Sequence, residues 1–372
     1  MHRIDSIDYL RGILALCVMI YHFMSWSIGT PDSSTTLGRL GVYAVSTFYI
    51  ISGISLYIAY FDLKLSNQKL LDYLIKRILR IAPLYWIATL LTGFYLYLAT
   101  PNFVIDWGKY ISNLTLAFGF YSPKNYIPVG GWSIGNEMVF YALFPLLVIL
   151  AKRKILYLCA SLVLGLMYFY ISSYSLVTTQ TLAQQWGTYI NPFNQAFLFS
   201  IGVGIGIIRK SHTPANNLYP LIALVGACIA FAYWPVDGNQ INIVTGLNRA
   251  VFTLICGIAC WSVLSLDKKP QKYIAKTLKL MGDISYSTYL LHGAAVFYTS
   301  KYALPLFFSA PSPHEKLQFF CIITLPITII LSYFVHKLVE IPFINFGKRL
   351  TTRSKQNLFS QGRPRSDELL RK

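Results

Sequence analysis

With 372 residues, 55% of them hydrophobic and only 12% charged, the chain has a mean hydropathy of +0.51. A soluble globular domain is about a quarter charged, so this composition argues against one, and it excludes disordered, collagen-like and disulfide-stapled secreted classes. The formal charge of +18 would suggest nucleic acid for a soluble protein, whereas in a membrane protein excess Lys and Arg marks the loops that stay inside.

Ten apolar runs approach the roughly 20 residues a membrane crossing needs: 10–29, 40–60, 81–99, 133–151, 155–172, 192–208, 218–235, 248–266, 284–304 and 317–338. The expected fold is all-α, a polytopic membrane protein of about ten transmembrane helices. A weaker run, 110–121, is too short to cross and reads as interfacial or re-entrant. An even number of crossings leaves both termini on one side. Placing them in the cytoplasm puts 26 of the 32 basic residues inside. These are Arg3 and Arg11, then Lys64, Lys69, Lys76, Arg77 and Arg80 around the second inner connection. Lys152, Arg153 and Lys154, then Arg209 and Lys210, then five lysines from Lys268 to Lys279, and nine basic residues from Lys337 onward complete the set. Arg39, Lys109, Lys124, Arg249, Lys301 and Lys316 fall outside. The charge is therefore first a topological signal, and without aromatic-interleaved basic motifs nucleic-acid binding is not expected.

Residues 1–348 read as one transmembrane domain and 349–372 as a basic cytoplasmic tail, expected to be disordered. No removable signal peptide, lipidation signal, Gly-rich phosphate loop or constant-period repeat is apparent. All six Cys lie inside apolar runs without a C-x-x-C pair, so neither zinc nor a structural disulfide is expected.

Titratable residues inside apolar spans are costly and therefore candidates for function. In the first span Arg11 and His22 are eleven apart and return to nearly the same helix face, while Asp8 and Arg11 are close enough to pair. The fourth span opens Gly130-Gly131-Trp132-Ser133, with Glu137 about a turn inside the outer boundary and Tyr141 one turn further. In the ninth, Ser285, Tyr289 and His292 fall at i, i+4 and i+7, a second polar stripe. Glu340, before Ile341-Pro342, reads as structural. Arg77 and Arg80, three apart at the inner surface, make a fork suited either to phosphate oxygens or to anionic lipid headgroups.

Taken together, these blocks resemble the integral-membrane acyltransferase 3 family, which modifies bacterial surface polysaccharides and other glycans. The resemblance is carried by Asp8-Tyr9-Leu10-Arg11-Gly12 with His22, by Phe48 to Gly53, by Arg77-Ile78-Leu79-Arg80-Ile81-Ala82-Pro83-Leu84-Tyr85, and by Trp132-Ser133-Ile134 through Glu137, Phe140-Tyr141 and Pro145. Ser285-Tyr286, Tyr289-Leu290, His292 and Glu340-Ile341-Pro342 also fit. Ile54 stands where family members often have an aromatic residue, and the esterase-like domain that some relatives carry after the last span is not expected here. The resemblance implies transfer of an acyl group, usually acetyl, from acyl-CoA to a glycan hydroxyl, with acetyl-CoA as donor substrate, at the bacterial inner membrane. It assigns Arg77 and Arg80 to the phosphates of coenzyme A, Arg11 to the thioester end, and His22 to chemistry as general base or acyl carrier. Glu137 and His292 would orient His22 or bind the acceptor. The competing readings are a transporter or flippase, which suits spans with polar stripes, and a scaffold in envelope assembly.

Overall fold

The computed structural model describes residues 4–62, 66–211, 216–266 and 270–361. Arg3, Lys64, Lys268, Lys269 and the tail from 362 onward lie outside the described residues, as do the side chains beyond 352. Helices α1 (Asp5–Ser25), α2 (Thr36–Tyr60) and α3 (Asn67–Ala99) are followed by a short α4 (Trp107–Leu114). Next come α5 (Gly131–Ala151), α6 (Lys154–Tyr170), α7 (Ala196–Ser211), α8 (Leu218–Tyr233) and α9 (Gly246–Ser265). A basic helix α10 (Lys272–Asp283) leads to α11 (Ser285–Tyr298) and to a long α12 (Pro313–Thr352), whose backbone remains helical to Gln361, past the boundary drawn at 348. No strand occurs among the described residues.

Local chemistry sets the helix starts. Thr35, Ser66 and Asp106 each accept a backbone N–H three residues on, and Ser312 with Glu315 forms a reciprocal capping box. Every expected apolar run is largely helical, but among the described residues seven helices are long and apolar enough to cross a membrane. The 16-residue helices α7 and α8 rise about 24 Å each, short of a hydrocarbon core of about 30 Å. The 14-residue α11 reaches further only by continuing through a wide π-turn, Thr299–Ala303, into Leu304–Phe307.

Three sequence expectations change. Arg77 and Arg80 are not in a loop: α3 is one 33-residue helix that starts at a Ser66 cap and carries Pro83 internally. The apolar window 81–99 is only its lipid-embedded half. Arg39 and Arg249, expected as outer-loop charges, sit in the first turns of α2 and α9 and are 2% and 1% exposed. Carbonyls satisfy them instead of water: Arg39 donates to Ser33, Phe231 and Trp234 at 2.6–2.8 Å, and Arg249 to Asn194 at 2.9 Å while lying over the Tyr168 ring. Of the lysines between the eighth and ninth runs, Lys272, Lys276 and Lys279 ride on α10, which packs along α1 and places Lys279 3.7 Å from Asp5.

The core lies where α2, α5 and α7 meet. Tyr49 meets Phe140 edge to face at 5.0 Å and Phe140 stacks on Phe199 at 5.3 Å between ring centroids, each pair worth about 0.5–1.5 kcal/mol beyond its burial. A side chain at Gly53 would run into the backbone of Phe199 and Val203 on α7. Helix packing, not chemistry, therefore explains the glycine of the Phe48–Gly53 block. Between α1 and α2, Asp32 accepts from the backbone N–H of Ser34 and of Gly238, which holds its carboxyl below the usual carboxylate range and ties the α1–α2 and α8–α9 connections together.

Candidate active site

His22 of α1 and His292 of α11 face each other. Nδ1 of His22 lies 3.0 Å from Nε2 of His292, with the rings nearly parallel at 4.9 Å. Trp26, one turn beyond His22, stacks on it at 4.9 Å and on His292 at 6.0 Å. His292 is fully buried, and His22 is part-buried. The other ring nitrogen of His292, Nδ1, lies 2.7 Å from the carbonyl of Tyr289.

Helix α11 is pinned on three sides just below this pair. Tyr286 donates to Ile81 O of α3 at 2.8 Å, and Ser287 donates to Glu340 of α12, whose second oxygen meets His336 Nδ1 at 3.0 Å. Tyr289 bonds Ser133 Oγ at 3.0 Å and Gly130 O at 3.2 Å, at the start of α5. Gly130 adopts φ +77°, and a Cβ there would sit 2.8 Å from the Tyr289 ring. The left-handed backbone costs an L-residue about 1–2 kcal/mol, so Gly130→Ala is expected to lower stability by at least that much and to reduce turnover by displacing Tyr289. Thermal unfolding in detergent and steady-state kinetics check both; wild-type turnover would detach this contact from the site.

The start of α5 is itself held. Asn113, fully buried in the last turn of α4, accepts from Tyr85 at 2.6 Å and from the Ile127 N–H at 3.0 Å, and donates to Asn125 O at 2.6 Å. The weak run 110–121 thus supports the Gly130–Ser133 segment from the side.

Arg11 stands eleven residues from His22 on α1, about 16 Å along the helix axis. It sits 3.7 Å from Asp8, is 20% exposed at its side chain, and lies within electrostatic reach of Arg80, Glu137 and Tyr141. Glu137 in turn feels Arg11, Arg80 and Arg77, and accepts from Tyr141 at 3.0 Å. Arg77 donates to Tyr60 at 3.0 Å and lies over its ring, while its buried Nε has no partner. Among the described residues, neither Arg77 nor Arg80 forms an ion pair with a carboxylate. Three guanidiniums share two carboxylates, Asp8 and Glu137, which leaves the cluster one negative charge short, and a further anion would complete it.

The structure divides the expected site residues into two groups. His22 and His292 belong together at one end of the seam; Arg11, Arg77, Arg80 and Glu137 gather at the other. Glu137, expected near the outer boundary as a support for His22 or a binder of an acceptor, lies within electrostatic reach of the three arginines, about two turns into the helix that starts at Gly131. Of the second stripe, Tyr289 and His292 are in contact, whereas Ser285 bonds Gly282 O at its own helix start. Trp26 was missed. Its position four residues after a membrane histidine was the available signal, since i and i+4 share a face.

This fold and this seam define a polytopic helical membrane protein built around an internal site, imidazoles at one end and guanidiniums at the other. The chain belongs to the acyltransferase domain family, whose profile matches residues 4–336. The match contains every block above except Glu340-Ile341-Pro342, which falls just past its end. The chain is also similar to the exopolysaccharide production protein ExoZ of Rhizobium meliloti (strain 1021), 24% identical over 290 residues that cover 73% of this chain and 82% of that protein. No solved structure matches it.

Proposed function

We propose that this membrane acyltransferase sits in the bacterial inner membrane with both termini cytoplasmic and moves an acyl group, acetyl by the family resemblance, from cytoplasmic acyl-CoA to a hydroxyl of a cell-surface polysaccharide or other glycan. The observation that carries this reading is the seam: arginines short of carboxylate partners at one end, an imidazole pair at the other, about 16 Å apart along α1. Arg77 and Arg80 suit the phosphates of coenzyme A, with the extended pantetheine arm running along the seam toward His22 and Arg11 beside its path. The glycan of the ExoZ relative, an exopolysaccharide by that protein's name, supports a polysaccharide acceptor.

A sugar hydroxyl is a weak nucleophile, and a positioned imidazole overcomes this in one of two ways. As general base, His22 takes the hydroxyl proton while the sugar oxygen bonds the acyl carbon and the C–S bond breaks onto sulfur. The thiolate then takes that proton, so the products are glycan ester and coenzyme A. As acyl carrier, His22 first accepts the acyl group itself and passes it to the sugar.

The test compares surface glycans of the host with and without the gene. Loss of an ester-linked acetyl signal in the polysaccharide NMR spectrum, restored by the wild-type gene, is expected. An identical acetyl pattern in both strains would reject the reading.

A further inference from the structure

We propose that His292 is a positioning residue that fixes the tautomer of His22 and so designates Nε2 of His22 as the reacting atom. The inference rests on the acyl-transfer reading above and adds which nitrogen acts and why a second histidine is present.

The hydrogen bonds assign the protons in sequence. A backbone carbonyl only accepts, so the 2.7 Å contact from Nδ1 of His292 to Tyr289 O places a proton on that nitrogen. A neutral imidazole carries one N–H, which leaves Nε2 of His292 as a bare acceptor. Its neighbour at 3.0 Å, Nδ1 of His22, must then be the donor. Nε2 of His22 keeps its lone pair. Among the described residues no carboxylate contacts either ring; the other flanking groups are the main chain of Val18 beside His22 and of Thr288 beside His292, and aromatic rings, with Tyr21 edge-on to His22, Tyr289 near His292, and Trp26 stacked over both.

This relay has the logic of a base oriented by a third group, with a neutral imidazole and a main-chain carbonyl in the orienting role. While Nε2 takes the sugar proton and releases it to the thiolate, the Nδ1–H of His22 stays in its bond to His292, which shares the transient positive charge between two rings. If Nε2 takes the acyl group instead, the N–C bond forms at the same bare nitrogen as the C–S bond breaks onto sulfur. The assignment is the same for both routes.

The experiment is 15N NMR of the full-length protein labelled with 15N-histidine in detergent, with single histidine replacements to assign the signals; tautomers are otherwise inferred rather than seen. Both His22 and His292 are expected as Nδ1–H tautomers, with His292→Leu returning His22 to the Nε2–H form. Nε2–H on His22 in the unaltered protein would overturn the proposal. In kinetics, His292→Leu is expected to lower kcat about 10²–10⁴-fold with the acetyl-CoA KM near wild type. His292→Gln, whose amide oxygen can accept from Nδ1–H, should recover much of that loss. Equal losses in the two variants, at unchanged thermal stability, would also count against it. Nδ1–H on His22 in a protein that transfers no acyl group would support the tautomer assignment and overturn only the reading it rests on.

Discussion

Replacing His22 by Ala is expected to lower acyl transfer about 10²–10⁴-fold, the range a positioned acid–base group contributes, and to abolish it if the histidine carries the acyl group covalently. Binding of acetyl-CoA should hardly change, because the arginine cluster lies about three turns away along α1. Folding should also survive. His22 is part-buried and its removal leaves Trp26 and His292 to close on the gap, a loss within the usual 0.5–3 kcal/mol of a point substitution (roughly). The discriminating pattern is therefore a lost kcat with retained affinity and retained thermal stability. A variant that transfers acetyl at the wild-type rate would remove His22 from the chemistry.

The second large effect belongs to Arg77 and Arg80. Replacing both by Gln is expected to raise the acetyl-CoA KM by about 10²-fold or more, since hydrogen bonds to charged groups contribute about 1.5–3 kcal/mol each. kcat at saturation should move far less, because neither guanidinium reaches the imidazoles. Arg77→Lys alone should not behave as wild type: Lys lacks the planar fork, and it could not keep the guanidinium over the Tyr60 ring while donating to the Tyr60 hydroxyl. Measured affinity by calorimetry and KM by kinetics should rise together. If neither changes in the double variant while membrane extraction does, the pair grips lipid headgroups and the donor site lies elsewhere.

Much of this site is legible in the residues, and the limits have physical causes. Arg11 and His22 share a face of one helix, so a local rule of about 100° per residue suffices to align them. Arg77 with Arg80, and Glu137 with Tyr141, follow from the same rule. His22 and His292 are 270 residues apart, and no periodicity can show that two stripes meet. That Glu137 lies among Arg11, Arg77 and Arg80 was hidden for the same reason: its place along its own helix was readable, but the neighbouring helices were not. The helical start of α3 was hidden because a search for apolar windows sees only half of a helix that begins in polar sequence. The burial of Arg39 and Arg249 was hidden because helix-end carbonyls, which have no side-chain signature, satisfy them. Glycine reads the other way. Gly53 looked like part of a functional block, and the packing of α2 on α7 accounts for it.

The proposed function requires that one seam carry an acyl group from coenzyme A to a glycan. Its most direct measurement uses purified full-length protein in proteoliposomes, supplied with acetyl-CoA labelled in the acetyl group and with polysaccharide from the host. Alkali-labile label should appear in the polysaccharide together with an equal amount of free coenzyme A, and His22→Ala protein should produce neither. Label that stays on coenzyme A with the wild-type protein, or reaches the glycan equally well with the His22→Ala variant, would contradict the account.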